Sequence, residues 1–290
     1  MRISPRMLLT FLLGLGAATL HAPASGQSQP ATLKPVAAMT PDVPFNNSER
    51  QDEQQLLMLA NQSRREAGLG PLTLDAGLSK AARIHAQAML EARQLSHQFQ
   101  GESALPLRLA ATSHLLLDQE GENVALDYDA AHGHEHLMLS APHRANLLNP
   151  AYNVVGLGVV RSGDRLYIVQ DFGRALPHYS PAEAKDHIAT AVNHLRHQSG
   201  QPDLNRQDQM GADDAACSMA QADKLGTSAV RKLAARSTVL TYTSVHPETL
   251  PAEASRSIGG PNLHLFSVGA CYNRTETYPN GVYWIVLTLE

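Results

Sequence analysis

Cysteine is scarce in this sequence: its 290 residues contain two, Cys217 and Cys271, both late in the chain. Neither has a second cysteine or histidine close by in sequence, which excludes a compact zinc motif. Positive charge is also low, with 23 Lys and Arg against 27 Asp and Glu and a formal net charge of −4. This balance argues against nucleic acid or an anionic membrane surface as the main partner.

Long apolar runs are lacking as well, apart from one that extends from Met7 to about Leu20 after two arginines. That run is short for a spanning helix, although a membrane anchor is the alternative. The pattern is typical of a secretory signal peptide over residues 1–26. We expect a secreted or periplasmic protein, not an integral membrane protein. Its net charge without the two arginines of residues 1–26 would be −6 instead of −4.

Export bears on the two cysteines, because disulfides persist in oxidising compartments. A lone pair in an exported protein favours a Cys217–Cys271 disulfide, joining a helix to a strand. Two free buried thiols are the alternative.

Residues 27–47 are rich in Pro, Ala, Thr and Gln without periodicity, which predicts a flexible linker. The remainder is long enough for one large domain or two ordinary ones. Ser48 and Gln51 have the spacing of a capping box, and Gly68 is expected to end that helix. Asp75 is expected to cap the next helix. Two alternating runs around residues 162–164 predict an antiparallel hairpin. Glycines in the first run leave one face of that strand without side chains, so another backbone can approach closely there.

The second half of the chain repeats a pattern of the first. Asn61, Arg64, Gly68 and Leu72 each have the same residue type 132 positions later, at Asn193, Arg196, Gly200 and Leu204. Chance similarity between two helix pairs is the alternative. The shared register favours a degenerate internal duplication.

Residues suited to chemistry lie in three separate places: His97 in "QLSHQF", Glu122 in "GENVA" and His143 in "SAPHRANLLNP". Two neutral imidazoles and a carboxylate, brought together by folding, suit Zn²⁺ or another divalent ion with an open position. Each is expected at an element end facing a cleft, with Pro142 ending the helix before His143.

Two other groups of histidines have simpler explanations. The run "HGHEHLM" adds His132, His134, Glu135 and His136, but Met138 stands where a zincin helix requires its second histidine. A solvated helical face is the favoured interpretation of this run. His85 lies on an apolar stripe and is expected to be a hydrogen-bonded core residue.

Several motifs occur in a characteristic order: "LLMLANQSRREAGLGPLTLD", "LSH", "GENVA", "SAPHRANLLNPAYNVVGLGVV" and "YIVQDFG". The chain resembles the CAP superfamily (SCP/TAPS), which includes cysteine-rich secretory proteins, antigen 5 and pathogenesis-related proteins. The resemblance is to the single-domain, cysteine-poor bacterial branch, and it extends from about Gln51 to Gly173.

The resemblance implies an α+β fold, a three-layer α-β-α sandwich with a mainly antiparallel sheet and a central cleft, over residues 48–178. A smaller degenerate copy is expected over residues 180–290. Two histidines and two acidic residues gather in the family's cleft, and divalent metals bind some members. His97 and His143 match the two histidines. Glu122 matches the acid of the "GEN" motif.

Two family positions lack a direct match in this sequence. Leu137 stands where a tryptophan is common. Glu135 is the nearest candidate for the second acid, with Asp129 as a weaker one. The second half has no counterpart of "SH", "GEN" or "PHR", so it is expected to hold neither a catalytic nor a metal site.

The favoured function is a binding module at the cell envelope or outside the cell, expected to be monomeric. Its ligand class stays open among a lipid, a glycan, a peptide and an envelope protein. One alternative is a metal-dependent hydrolase with Glu122 as base. Another is a structural envelope protein. No catalytic nucleophile can be assigned.

Overall fold

A computed structural model describes residues 46–208 and 210–290. The predicted signal peptide and residues 27–45 of the predicted linker lie outside this range. We call residues 46–178 the first half and residues 180–290 the second half. No helix in the described ranges has both the length and the apolar character required to cross a membrane.

The first half is a four-stranded sheet with helices on both faces. Its elements are α1 (Asn47–Glu66), β1 (Thr73–Leu74), α2 (Ala76–Ala92), α3 (Leu105–Thr112), β2 (Leu116–Asp127), α4 (Ala130–Leu139), α5 (Ala141–Leu147), β3 (Val154–Ser162) and β4 (Arg165–Leu176). The strand order is β1-β3-β4-β2; β1 and β3 are parallel and the other neighbours antiparallel. Apolar residues of α2 and α3 cover one face, and those of α1, α4 and α5 cover the other. The predicted α-β-α sandwich is therefore confirmed.

Glycines on β3 allow the sheet and α2 to pack closely. A Cβ atom on Gly156 would lie 2.1 Å from the carbonyl carbon of Leu78, and one on Gly158 would lie 2.2 Å from that of Ala82. Neither contact is sterically possible, so only glycine permits this separation. The hairpin between β3 and β4 is antiparallel, as the alternating pattern predicts.

Two predicted helix boundaries are wrong. Asn46 caps α1, with Glu49 as its capping-box partner, instead of Ser48 with Gln51. Pro142 lies in the first turn of α5 and does not end α4, which stops at Leu139. Proline is tolerated there because the first turn leaves its N–H groups unpaired in any case. The predicted roles of Gly68, at φ +72°, and of Asp75 as the α2 cap are confirmed.

The second half has a second four-stranded sheet with helices on both faces. Its elements are α6 (Pro181–Gln198), β5 (Asn205–Arg206), α7 (Met210–Gln221), α8 (Thr227–Ala234), β6 (Thr238–Ser244), α9 (Ala254–Ile258), β7 (Leu265–Asn273) and β8 (Val282–Leu289). The strand order β5-β7-β8-β6, with β5 parallel to β7, matches that of the first sheet. Residues of α6 and α9 pack on one face, and residues of α7 and α8 pack on the other.

Buried arginines perform the same task in both halves. The Nε of Arg64 donates to Gly70 O at 2.8 Å, and its Nη atoms donate to three further carbonyls between Leu147 and Tyr152. The Nε of Arg196 donates to Pro202 O at 2.8 Å, and its Nη1 donates to the carbonyls of Ile258 and Gly260. Each arginine fastens the end of its helix to two loops.

Two further contacts recur with the same register. Asn61 exchanges hydrogen bonds with the backbone of Leu72, and Asn193 does so with Leu204. A Cβ atom on Gly269 would lie 2.1 Å from Ala212 C in α7, as one on Gly156 would approach α2. The positions that align in sequence thus make equivalent contacts.

Cys217 of α7 and Cys271 of β7 form a disulfide, with their Cα atoms 5.0 Å apart. The predicted pairing, and the expectation that it joins a helix to a strand, are confirmed. Cys271 follows Gly269 by two residues, as Gly158 follows Gly156. A covalent bond therefore fastens helix to sheet at the place where the first half uses a glycine contact.

Candidate functional site

The structure brings His97 and Glu122 together. The Nδ1 atom of His97, in the loop after α2, lies 2.9 Å from Oε1 of Glu122 on β2. The His97 side chain is 60% exposed, whereas that of Glu122 is 4% exposed. A buried carboxylate therefore orients an exposed imidazole and leaves Nε2 as the ring nitrogen available for a ligand.

Arg108 of α3 occupies the other oxygen of Glu122. Its Nη2 donates to Glu122 Oε2, and its Nη1 donates to the backbone carbonyl of His97 at 3.0 Å. Its Nη1 also lies 3.3 Å from Oε1 of Glu102. Both carboxylate oxygens of Glu122 are thus engaged by the protein, so Glu122 supports His97 and is not a free ligand or base.

His85 of α2 is completely buried and hydrogen-bonded, as predicted for a core histidine. Its Nδ1 lies 2.6 Å from Glu102 Oε1 and its Nε2 lies 2.8 Å from Ser96 O. A carbonyl oxygen only accepts hydrogen bonds, so Nε2 carries a hydrogen. These contacts hold the loop that carries His97, and a core residue is therefore part of the site's support.

Two asparagines hold His143 and the rest of α5 against β2, the strand that carries Glu122. Asn123 Nδ2 donates to His143 O at 3.1 Å. Asn146 Nδ2 donates to Glu122 O at 3.1 Å and to Asn123 Oδ1 at 3.0 Å. Burial, followed by the charge of nearby His97, lowers the pKa of His143 below its ordinary value. The neutral imidazole, which is the metal-binding form, is favoured there.

A second carboxyl group is present, at a position that the sequence analysis did not identify. Asp171 on β4 is the cross-strand partner of Glu122 and is completely buried. Burial, and then the negative charge of Glu122, raise the pKa of Asp171 well above its ordinary value, although Arg108 acts in the opposite direction. The protonated form of Asp171 is therefore favoured at this position beside Glu122.

The candidates predicted for the second acid lie on or next to α4. Asp129 caps that helix by accepting from His132 N at 2.9 Å, and Glu135 is exposed. His136 Nδ1 lies 2.6 Å from Asp127 Oδ2, and the buried His134 lies 2.9 Å from Ser63 Oγ. None of the described contacts connects Glu135 or Asp129 to His97, Glu122 or His143.

The donor set suits a divalent ion with few protein ligands. Across residues 46–208 and 210–290, no group of three or more His, Cys, Asp or Glu side chains has the arrangement of a metal site. His97 and His143 would supply two imidazoles, and Glu122 would be the outer carboxylate that commonly orients a metal-binding histidine. This set fits an ion that keeps solvent ligands, not a closed structural centre.

Arg108, Glu102 and Asp171 were not among the site residues predicted from the sequence. In the sequence, Arg108 resembles an ordinary cation on a helix surface. Its partners are Glu122, 14 residues away, and the backbone of His97 in a loop, and neither pairing follows from a local pattern. Asp171 did carry a signal, because an ionisable residue inside the apolar run "YIVQDFG" is costly to bury without a specific role.

Comparisons with known proteins agree with this fold. The family model "CAP: Cysteine-rich secretory protein family" matches residues 57–172. "Uncharacterized protein YkwD" of Bacillus subtilis is 32% identical over 112 residues, which are 38% of this chain and 43% of that protein. The chain thus spans less than half the length of this relative.

Solved structures are similar over different lengths. An extracellular protein containing an SCP domain from Bacillus anthracis is 26% identical, with a TM-score of 0.41 over 46% of this chain and 45% of that one. Na-ASP-1 is 7% identical, with a TM-score of 0.45 over 84% of this chain and 90% of that one. Through residues 57–172 the chain belongs to the CAP family, as a bacterial-type member.

Proposed function

We propose that the protein is an exported CAP-domain binding module whose first-half site holds a divalent ion between His97 and His143. The observation that carries this proposal is the exposed imidazole of His97, which the buried Glu122 anchors and whose charge acts on the imidazole of His143. Export is supported by the N-terminal sequence and by the disulfide, because such bonds persist mainly in oxidising compartments. The ligand belongs to the envelope: a lipid, a glycan, a peptide or a protein.

Zinc or a similar ion fits the chemistry of these two nitrogens. Imidazole suits borderline-soft divalent ions, and an outer carboxylate increases the basicity of the histidine that it orients. The lowered pKa of His143 reduces competition from protons at neutral pH. The bound ion would supply an open coordination position to which an anionic or carbonyl group of the ligand can bind.

Binding is favoured over hydrolysis by the way in which the carboxyl groups are used. A general base must reach the proton that it removes. Glu122 has one oxygen on His97 and the other on Arg108. Asp171 has no solvent exposure. Neither carboxyl group is placed to act on a bound water, so a metal-dependent hydrolase is the weaker alternative.

For the second half we propose a degenerate duplicate of the CAP domain that has a supporting role. This is supported by its sheet order and by the equivalent contacts of Arg64 and Arg196, 132 residues apart. The second half lacks counterparts of His97, Glu122 and His143. We therefore assign it a structural role, so the alternative of a structural protein applies to this part of the chain.

The test is calorimetric titration with Zn²⁺ of the protein without residues 1–26, at about pH 7.5, where free imidazole is neutral. A His97→Ala/His143→Ala variant is expected to lose binding. A His132→Ala/His136→Ala variant is the matched control, because it also removes two exposed histidines whose Nδ1 atoms contact carboxylates. Loss of binding in the control alone would place the ion on α4 and contradict the proposal.

A further inference from the structure

Polar contacts from the second half converge on one short segment of the first half. Arg274, which follows β7, donates from Nη1 to Ser113 O at 2.8 Å and from Nη2 to Ala110 O. Its Nε donates to Pro279 O at 2.7 Å, which fixes the turn that carries Asn280. One arginine therefore joins the C-terminal end of α3 to a turn of the second half.

Two more contacts reach the beginning of β2. Asn280 Nδ2 donates to Glu120 Oε1 at 2.5 Å. His246 Nε2 lies 3.0 Å from Asp118 Oδ2, and Asp118 is also held by Arg174. Leu116, the first residue of β2, packs in the hydrophobic core of the second half. β2 is an edge strand, with a neighbouring strand of its sheet on one side only. The contacts from the second half therefore hold residues of β2 that the first sheet flanks on one side.

The same segment carries the support of the candidate site. Arg108, which holds Glu122 and the backbone of His97, is two residues before Ala110 in α3. Glu122 is two residues after Glu120 in β2. A displacement of α3 or of the start of β2 would therefore move the guanidinium and the carboxylate that orient His97.

We propose that the second half acts as an intramolecular clamp on residues 110–120, and that Arg274 is a positioning residue for the His97–Glu122 pair. We define the clamp as Arg274, Asn280 and His246 with their first-half partners. The proposal concerns the site of the proposed function, but it rests on contacts that exist without a metal. It gives the second half, which lacks the histidines and carboxylates of the site, a role in the function of the first.

The experiment compares three variants in the full exported chain. Arg274→Ala removes both donors to α3. Arg274→Lys keeps the charge and one or two donors. Arg206→Ala is the matched control, because Arg206 pairs with Asp186 and Asp208 inside the second half. The readouts are the imidazole NMR resonances of His97 at fixed pH, amide hydrogen exchange of α3, and Zn²⁺ affinity.

Arg274→Ala is expected to shift the His97 resonances, accelerate exchange in α3, and weaken Zn²⁺ binding about threefold to tenfold, less than loss of a direct outer-shell partner. Arg274→Lys should be close to wild type in all three readouts, and Arg206→Ala should not change any of them.

A folded Arg274→Ala protein with unchanged His97 resonances would overturn the clamp, whether or not zinc binds. If the wild type binds no zinc but the resonances shift, the metal proposal fails and the clamp stands. General unfolding that Arg274→Lys does not relieve would also contradict a positioning role.

Discussion

Asp171 is completely buried and faces Glu122 across the β2–β4 ladder. The guanidinium of Arg108 donates to Oε2 of Glu122. Neither carboxylate oxygen of Asp171 has a hydrogen-bond donor among the described residues. With a proton, Asp171 can itself donate to Glu122. The negative charge of Glu122 therefore disfavours ionisation of Asp171, and the guanidinium of Arg108 offsets part of this effect.

This relationship predicts that Asp171→Asn stabilises the protein increasingly as pH rises. The folded-state pKa of Asp171 lies above the unfolded value, so Asp171 is protonated in both states only below about pH 4. Between that pH and the folded-state pKa, Asp171 loses its proton when the protein unfolds but keeps it when folded, so the free energy of unfolding of the wild type falls as pH rises. The stability advantage of Asn should grow by at most about 1.4 kcal/mol per pH unit.

Urea unfolding of both proteins at about pH 4 and pH 7 measures this difference. Gln170→Asn, at the neighbouring buried but uncharged position, controls for disturbance of β4. A difference between Asp171→Asn and wild type that is the same at both pH values would show that Asp171 is ionised when folded.

The sequence predicts the sandwich through its helical and strand periodicity and through its resemblance to the CAP superfamily. The assignment of His97, Glu122 and His143 to one site comes from that resemblance, because the three residues are far apart in the sequence. It does not predict Asp171 or Arg108, because their importance arises from pairing between strands and helices distant in the chain. Pro142 shows the limit of local rules: proline is excluded from helix interiors but favoured in first turns, and the prediction that it ends a helix was wrong because it lies in the first turn of the next one.

Arg64 and Arg196 provide a prediction about the two halves. Replacing Arg64 by Met removes the donor of four carbonyl oxygens, and replacing Arg196 by Met removes the donor of three, in hydrogen bonds that are buried or partly buried. We expect a loss of at least about 1–3 kcal/mol in each case, since one unsatisfied buried group already costs that much. Arg65→Met, at an exposed position of α1 next to Arg64, serves as the control.

Chemical denaturation measures these losses, and hydrogen exchange identifies the affected half. A clear loss for each variant, localised to its own half, is what two copies of one fold require. If Arg196→Met were neutral while Arg64→Met destabilised strongly, the equivalence of the two arginines would be contradicted.

The disulfide should contribute to stability as well as to helix placement. Cys217 and Cys271 are separated by 54 residues, and closing a loop of that length contributes on the order of 4 kcal/mol by restricting the unfolded chain. The protein denatured without reductant should show no free thiol. The Cys217→Ser/Cys271→Ser variant should unfold at clearly lower denaturant concentration. Two labelled thiols in the unreduced protein would contradict the bond.

The last prediction concerns the pH dependence of zinc binding at His97 and His143. Protons and the metal compete for the same imidazole lone pairs, so affinity should decrease as the histidines become charged. Burial and the charge of His97 lower the pKa of His143, so this residue stays neutral to a lower pH than an ordinary histidine. Binding should therefore be nearly constant above about pH 7 and weaken steeply below about pH 6.

Calorimetry across this pH range measures the zinc affinity, with His143→Ala as the comparison. With a single imidazole left, that variant should bind weakly and show a shallower pH dependence, because one proton instead of two competes with the ion. An affinity that is constant down to about pH 5 would exclude histidine ligands and contradict the assignment of this site.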